Sequence, residues 1–145
     1  MKLTDEEFNR VFELKKFFDG DICLPKQNER KFYTLKSIDG FEHFELNIER
    51  KTRIELKKIK LHHSYFKEPI VRLEVDAPPH KNPDGKRVGR NHIHIYREGY
   101  GLTWAYELDE FSDTLFRKKD DFISIFNDFC VYCNIENNLN LQGVF

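Results

Sequence analysis

The sequence predicts an α+β fold, with one mainly antiparallel sheet of about six strands and an N-terminal and a C-terminal helix packed on one face of it. Three observations lead there. Apolar residues recur at helical intervals only near the two ends, they alternate in twos between those ends, and no strand–helix–strand alternation occurs. The length, 145 residues, suits a single domain with one core, spanning residues 1–145.

Thr4 and Glu7 have the spacing of a capping box, and Phe8, Val11, Phe12 and Phe18 follow at helical intervals, so residues 4–18 are expected to form a helix ended at Gly20. Residues 21–29, with Pro25 among polar neighbours, form a loop. Residues 31–37 and 41–49 flank Ile38, Asp39 and Gly40 and read as a hairpin. Residues 53–61 place Ile54, Leu56, Ile59 and Leu61 imperfectly among lysines, which suits a strand with one solvated face and a bulge. Residues 70–76 alternate cleanly, with Val71, Leu73 and Val75 on one face and Arg72, Glu74 and Asp76 on the other.

Residues 77–90 carry three prolines and two glycines, with the turn-forming Asn-Pro-Asp-Gly at 82–85, and read as a loop. Residues 91–96 and 103–108 resume the strand pattern on either side of Gly99 and Gly101. Residues 119–133 close the chain as a helix whose stripe is Phe122, Phe126, Phe129 and Cys133. The polar tail, residues 134–145, is expected to be partly ordered by its apolar end residues.

The balance of 24 basic and 25 acidic residues leaves a formal charge of −1, so no whole-chain field draws the protein to nucleic acid or to acidic lipid, although local patches remain open to it. The first ten residues lack the apolar run of a signal peptide, and no stretch approaches the roughly 20 apolar residues of a membrane span. Three cysteines argue against a disulfide framework and fit a reducing compartment, so the expected location is cytoplasmic.

The chemistry concentrates between Asp76 and Gly101. A period of two puts His92 and His94 on one face of a strand and Ile93 and Ile95 on the other. His80 lies in the loop that precedes them, and Asp76 and Glu74 are neighbours on the polar face. Three imidazoles and a carboxylate are ligands that zinc prefers, at about 2.0–2.2 Å in a tetrahedron, so His80, His92, His94 and Asp76 are the expected metal ligands. The competing reading is a pair of solvated strand histidines. His62 and His63 are adjacent and would face opposite sides of a strand, and His43 stands alone; these three read as structural or surface residues. Cys130 and Cys133 have C-x-x-C spacing, but Cys133 falls on the Phe122 stripe, where a thiol packs as a small hydrophobe. Trp104 and Tyr106 share a face and read as packing residues. No phosphate-binding loop, dinucleotide glycine pattern or serine-hydrolase elbow occurs.

These motifs also carry a resemblance. Ala-Pro-Pro-His-Lys-Asn-Pro-Asp-Gly at 77–85, Asn-His-Ile-His-Ile-Tyr-Arg-Glu-Gly-Tyr-Gly at 91–101, Trp104-Ala105-Tyr106 and the closing Tyr132-Cys133-Asn134-Ile135 resemble an uncharacterised family of small proteins from bacteria and their mobile elements. The likeness covers most of the second half and is thin before Ile70. His80, His92 and His94 each fall on a motif histidine. Within that neighbourhood the chain is similar to zinc-containing anti-CRISPR inhibitors of the type II-A effector nuclease from streptococcal mobile elements. That resemblance implies a protein that docks on the nuclease and prevents target DNA from loading. A near-neutral chain is a poor DNA mimic, so contact with a protein domain, without direct nucleic-acid binding, is what the charge favours.

Two functions follow as expectations. In the first, zinc bound by His80, His92 and His94 is structural, and the fourth ligand is Asp76, with Cys133 or water as the other choices. In the second, a metal-dependent hydrolase or nuclease toxin keeps a zinc-bound water, with Glu98 or Asp84 as general base. The second requires an open coordination position.

Overall fold

The computed structural model describes residues 2–137. Helix α1, Asp5–Glu13, begins where the capping box predicts: Thr4 Oγ1 accepts from the Glu7 amide at 3.0 Å, and the Glu7 carboxylate accepts from the Thr4 amide at 3.1 Å. It stops nine residues on, and the chain turns extended at Leu14 to form strand β1, Lys16–Phe18. The helix expected to reach residue 18 is therefore cut short. Lys16 explains the break, because its side chain is fully buried, unlike that of a solvated helix lysine. Its ammonium donates to the carbonyls of Phe12, Leu14 and Cys133 at 2.6–2.8 Å, which uses all three of its protons. Burial pushes its pKa down to about 8.

The remaining strands are β2 Arg30–Ser37, β3 His43–Arg53, β4 Leu56–Tyr65, β5 Glu68–Val75, β6 His80–Lys81, β7 Arg87–Val88, β8 His92–Ile95 and β9 Ala105–Glu107. A 3-10 turn, Leu108–Phe111, and helix α2, Phe122–Cys133, follow. Seven strands make one sheet in the order β1-β2-β3-β4-β5-β8-β9, each pair antiparallel, while β6 and β7 form a separate two-stranded ribbon. The α+β class and the antiparallel sheet match the sequence reading, with one strand more than expected in the sheet. The strand expected at 53–61 lies a few residues further on, because Ile54 and Glu55 form the hairpin turn: Ile54 is 95% exposed and Glu55 has φ 66°. The expected tail lies largely outside the described residues. Its first part is ordered, since Lys16 donates its amide to Asn134 and accepts from the Glu136 amide.

Register sorts the side chains by face. One face carries Leu46, Ile48, Leu61, His63, Val71, Leu73 and Ile93, all fully buried. The helices meet this layer: Phe129 of α2 sets its ring against His63 at 6.4 Å, Arg50 lies over Phe122 at 4.1 Å, and Phe8 of α1 contacts Tyr96 at 5.6 Å. Cys130 and Cys133 are buried in the same core as free thiols, and burial pushes the Cys130 pKa up to about 12. The other face is polar. One row across it reads Phe32, Asn47, His62, Arg72, His94; the next reads Arg30, Glu49, Lys60, Glu74, His92, Glu107.

Candidate metal centre

The rows end beneath the segment between β5 and β8. This segment folds back over the polar face instead of extending into solvent. Its turn is the predicted one: the Gly85 amide bonds the Asn82 carbonyl at 2.8 Å, with Gly85 at φ 87°. Asn82 then grips β9 as a strand would, donating Nδ2 to the Ala105 carbonyl and accepting the Ala105 amide, both at 2.9 Å. Gly89 sits against Glu107, whose carboxylate accepts the Gly89 amide and lies 3.4 Å from where a Cβ would stand. Under this cover His92 and His94 are 1% and 2% exposed.

Each imidazole has one nitrogen committed. Nδ1 of His92 meets the Gly89 carbonyl, Nδ1 of His94 the Leu102 carbonyl and Nε2 of His80 the Thr103 carbonyl, each at 2.7 Å. A carbonyl only accepts, so the proton sits on that nitrogen in all three rings. In the neutral rings the lone pairs belong to Nε2 of His92, Nε2 of His94 and Nδ1 of His80. This is the arrangement of metal-ligating histidines, whose remote N–H is fixed by an outer partner. Burial, with Arg72 nearby, pushes the His94 pKa down to about 4, so that ring is neutral near pH 7.

Glu74, His92 and His94 form a cluster that can hold a metal ion, with one donor atom from each mutually within 4.8 Å. Nε2 of His92 stands 3.2 Å from a Glu74 carboxylate oxygen. A lone pair facing a carboxylate at that distance needs a positive charge between them, either a second ring proton or a cation. The His92 contact, followed by Arg72, holds the Glu74 pKa down to about 2 against its burial. The His80 ring adjoins the cluster, its centroid 4.7 Å from that of His94 and 6.1 Å from that of His92.

The structure thus brings His80, His92 and His94 together. It places Asp76 elsewhere. Strand β5 ends at Val75, and Asp76 takes φ 56°, which turns its side chain to the Lys57 amide at 2.9 Å and to the Arg90 guanidinium at 3.1 Å. Glu74, two residues earlier on the same face, is the carboxylate beside the imidazoles. The period of two that named Asp76 fits Glu74 equally, and only the strand end separates them. Cys133 lies in the core on the opposite face. Glu98 accepts the Asp5 amide at the start of α1, and Asp84 accepts the Lys86 amide within the β6–β7 turn. His62 faces the polar side and His63 the core, as adjacent strand residues must.

The fold and the site define a small α+β protein with a carboxylate–histidine cluster roofed by a two-stranded flap. Residues 3–135 match a family of unknown function (DUF6978), and the chain belongs to that family. No curated protein and no solved structure matches the chain. No helix among the described residues is long and apolar enough to cross a membrane.

Proposed function

We propose that the protein is a non-catalytic binding protein of the inhibitor type, with one structural zinc ion that fastens the β6–β7 flap to the sheet. The ligands are Nε2 of His92, Nε2 of His94, the Glu74 carboxylate and Nδ1 of His80. The observation that carries this reading is the commitment of one N–H from each of His92 and His94 to a backbone carbonyl, which leaves two lone pairs beside the Glu74 carboxylate, with the His80 ring, its own Nε2 committed in the same way, adjoining them as the fourth ligand we propose. Three nitrogens and one oxygen complete the tetrahedron that structural zinc sites close with protein ligands alone.

The hydrolase reading has less support. It needs an open coordination position and a free general base, whereas His92 and His94 are buried and the carboxylates of Glu98 and Asp84 are bonded elsewhere. The partner that the resemblance suggests is the type II-A CRISPR effector nuclease, held through a protein domain, with the near-neutral charge arguing against DNA mimicry.

Metal analysis of the purified protein is expected to find zinc at one ion per chain, bound by four protein ligands in the X-ray absorption spectrum. A coordinated water beside a free carboxylate overturns the structural role. Mixing the protein with the effector nuclease is expected to reduce target DNA binding, and no complex at micromolar concentration retires that partner.

A further inference from the structure

The polar face continues past the metal cluster into a groove that the zinc reading does not use. Its lining is Arg30, Phe32, Asn47, Glu49, Lys60, His62 and Arg72, around a cavity of about 240 Å³. These side chains come from four adjacent strands in the two rows that end at His94 and His92. At strand spacings of roughly 4.8 Å the groove runs about 14 Å across the sheet from β2 to β5.

Three features give it a chemical character. First, the lining is positive: Arg30, Lys60 and Arg72 stand against Glu49, whose carboxylate is shared between Arg30 at 3.8 Å and Lys51 at 3.7 Å. Second, two polar atoms in it are buried without a hydrogen-bond partner, the Asn47 side-chain oxygen and Nε of Arg72. Arg72 Nε lies 3.0 Å from a Glu74 oxygen as an ion pair, but its N–H is not aimed at that oxygen. Unpaired buried polar atoms are uncommon, and a bound water, ion or ligand is among the few things that account for them. Third, Phe32 is 64% exposed at the mouth, and the Arg30 guanidinium lies over its ring at 5.2 Å. A solvent-facing aromatic ring flanked by cations is the element on which nucleic-acid bases stack.

We propose that this groove binds a phosphorylated nucleoside, with the phosphate between Lys60, Arg30 and Arg72 and the base against Phe32. The cavity is smaller than the roughly 300–1,000 Å³ of sites that enclose whole drug-sized ligands, so it takes the phosphate end and leaves the base at the rim. The near-zero net charge does not oppose this, because the cations that matter are gathered on one face. None of the proposed zinc ligands lines this groove, and the two sites touch through the Arg72–Glu74 ion pair. Free nucleotides and single-stranded nucleic acid share the chemistry.

The test titrates the full-length protein at low salt, by calorimetry and amide NMR shifts, with adenosine monophosphate, a short oligothymidylate, inorganic phosphate and a poly-glutamate peptide. Binding of the mononucleotide or the oligothymidylate is expected, with shifts centred on Phe32, Asn47, Lys60 and Arg72. If only the mononucleotide binds, the ligand is a free nucleotide; if the oligothymidylate binds more tightly, it is single-stranded nucleic acid. Phe32→Ala is expected to weaken binding about 5- to 150-fold, the range measured for removing one stacking ring. Lys60→Gln should weaken it and flatten its salt dependence. Both variants are checked for an unchanged melting temperature, and Phe32→Leu is the second probe if the alanine variant melts early. The proposal is overturned if neither nucleotide probe binds, if inorganic phosphate or poly-glutamate binds as well as the mononucleotide, or if the variants bind like the parent protein.

Discussion

Removing the proposed zinc ion should both destabilise the protein and loosen the β6–β7 flap. A ligand that binds only the native state, present at 100 times its dissociation constant, adds roughly 2.7 kcal/mol of stability. For a chain of 145 residues, an unfolding entropy of roughly 2.1 cal/mol/K per residue gives about 0.3 kcal/mol/K at the midpoint, so the loss lowers Tm by about 9 °C. The effect is also local. Apart from the cluster, the flap is held by the Asn82–Ala105 pair, the Gly89–Glu107 contact and the His80–Thr103 bond, while the β3–β4 centre is buried on its core side. Scanning fluorimetry with and without a zinc chelator reads the first quantity, and amide hydrogen exchange reads the second. Exchange is expected to quicken at Asn82, Val88 and Gly89 while Leu46, Ile48 and Leu61 keep their protection. A Tm shift under about 2 °C with the metal shown to be gone, against the 2–4 °C that a single kcal/mol moves a domain near this size, refutes the structural role. Uniform acceleration across the sheet refutes the fastening of the flap.

Three further outcomes are expected. Glu74→Gln should weaken zinc binding by at least the roughly 10- to 100-fold that disturbing an outer partner of a ligand costs, whereas Asp76→Asn should leave it unchanged; competition with a chromophoric chelator measures both. His63 is fully buried with a pKa pushed down to about 3 by desolvation, ahead of Lys16 nearby. The unfolded chain therefore binds the proton first, near the ordinary value of about 6.5, and stability falls with pH from there toward 3. Between pH 8 and pH 5 this one ring should cost about 2 kcal/mol, read as the difference in urea unfolding between the parent protein and His63→Phe; equal pH slopes for the two would contradict it. Thr4→Ala removes the cap of α1 and should cost about 1 kcal/mol by the same assay, with no change in metal content.

The alternation of Val71, Leu73 and Val75 and of Ile93 and Ile95 made the central strands and the pairing of His92 with His94 readable, because a sheet with one apolar face imposes a period of two. The Asn-Pro-Asp-Gly turn was equally plain. Turns without glycine were not. Ile54–Glu55 and Phe66–Lys67 reverse the chain with ordinary residues at positive φ, at Glu55, Phe66 and Lys67, so the boundaries of β4 carried no local signal. The strand at Lys16 was hidden by its charge, which reads as solvated until the three carbonyls around it are seen. The identity of the carboxylate depended on where β5 ends, and a single residue in the left-handed region decided it. The groove beside the cluster was invisible for a related reason: its residues are up to 42 positions apart along the chain, and only register brings Arg30 and Arg72 onto one surface.

Lys16 has a further consequence for how this chain reaches its native state. Its ammonium is satisfied in part by a carbonyl 117 residues away, at the end of α2, and its backbone is paired on one edge by residues 134 and 136. Without that distant segment, a dehydrated Lys16 would have one proton with no acceptor, so burial of this lysine depends on both ends of the described chain being in place. Lys16 thus ties the opening and closing thirds of the polypeptide together, through its ammonium at Cys133 and its backbone at residues 134 and 136.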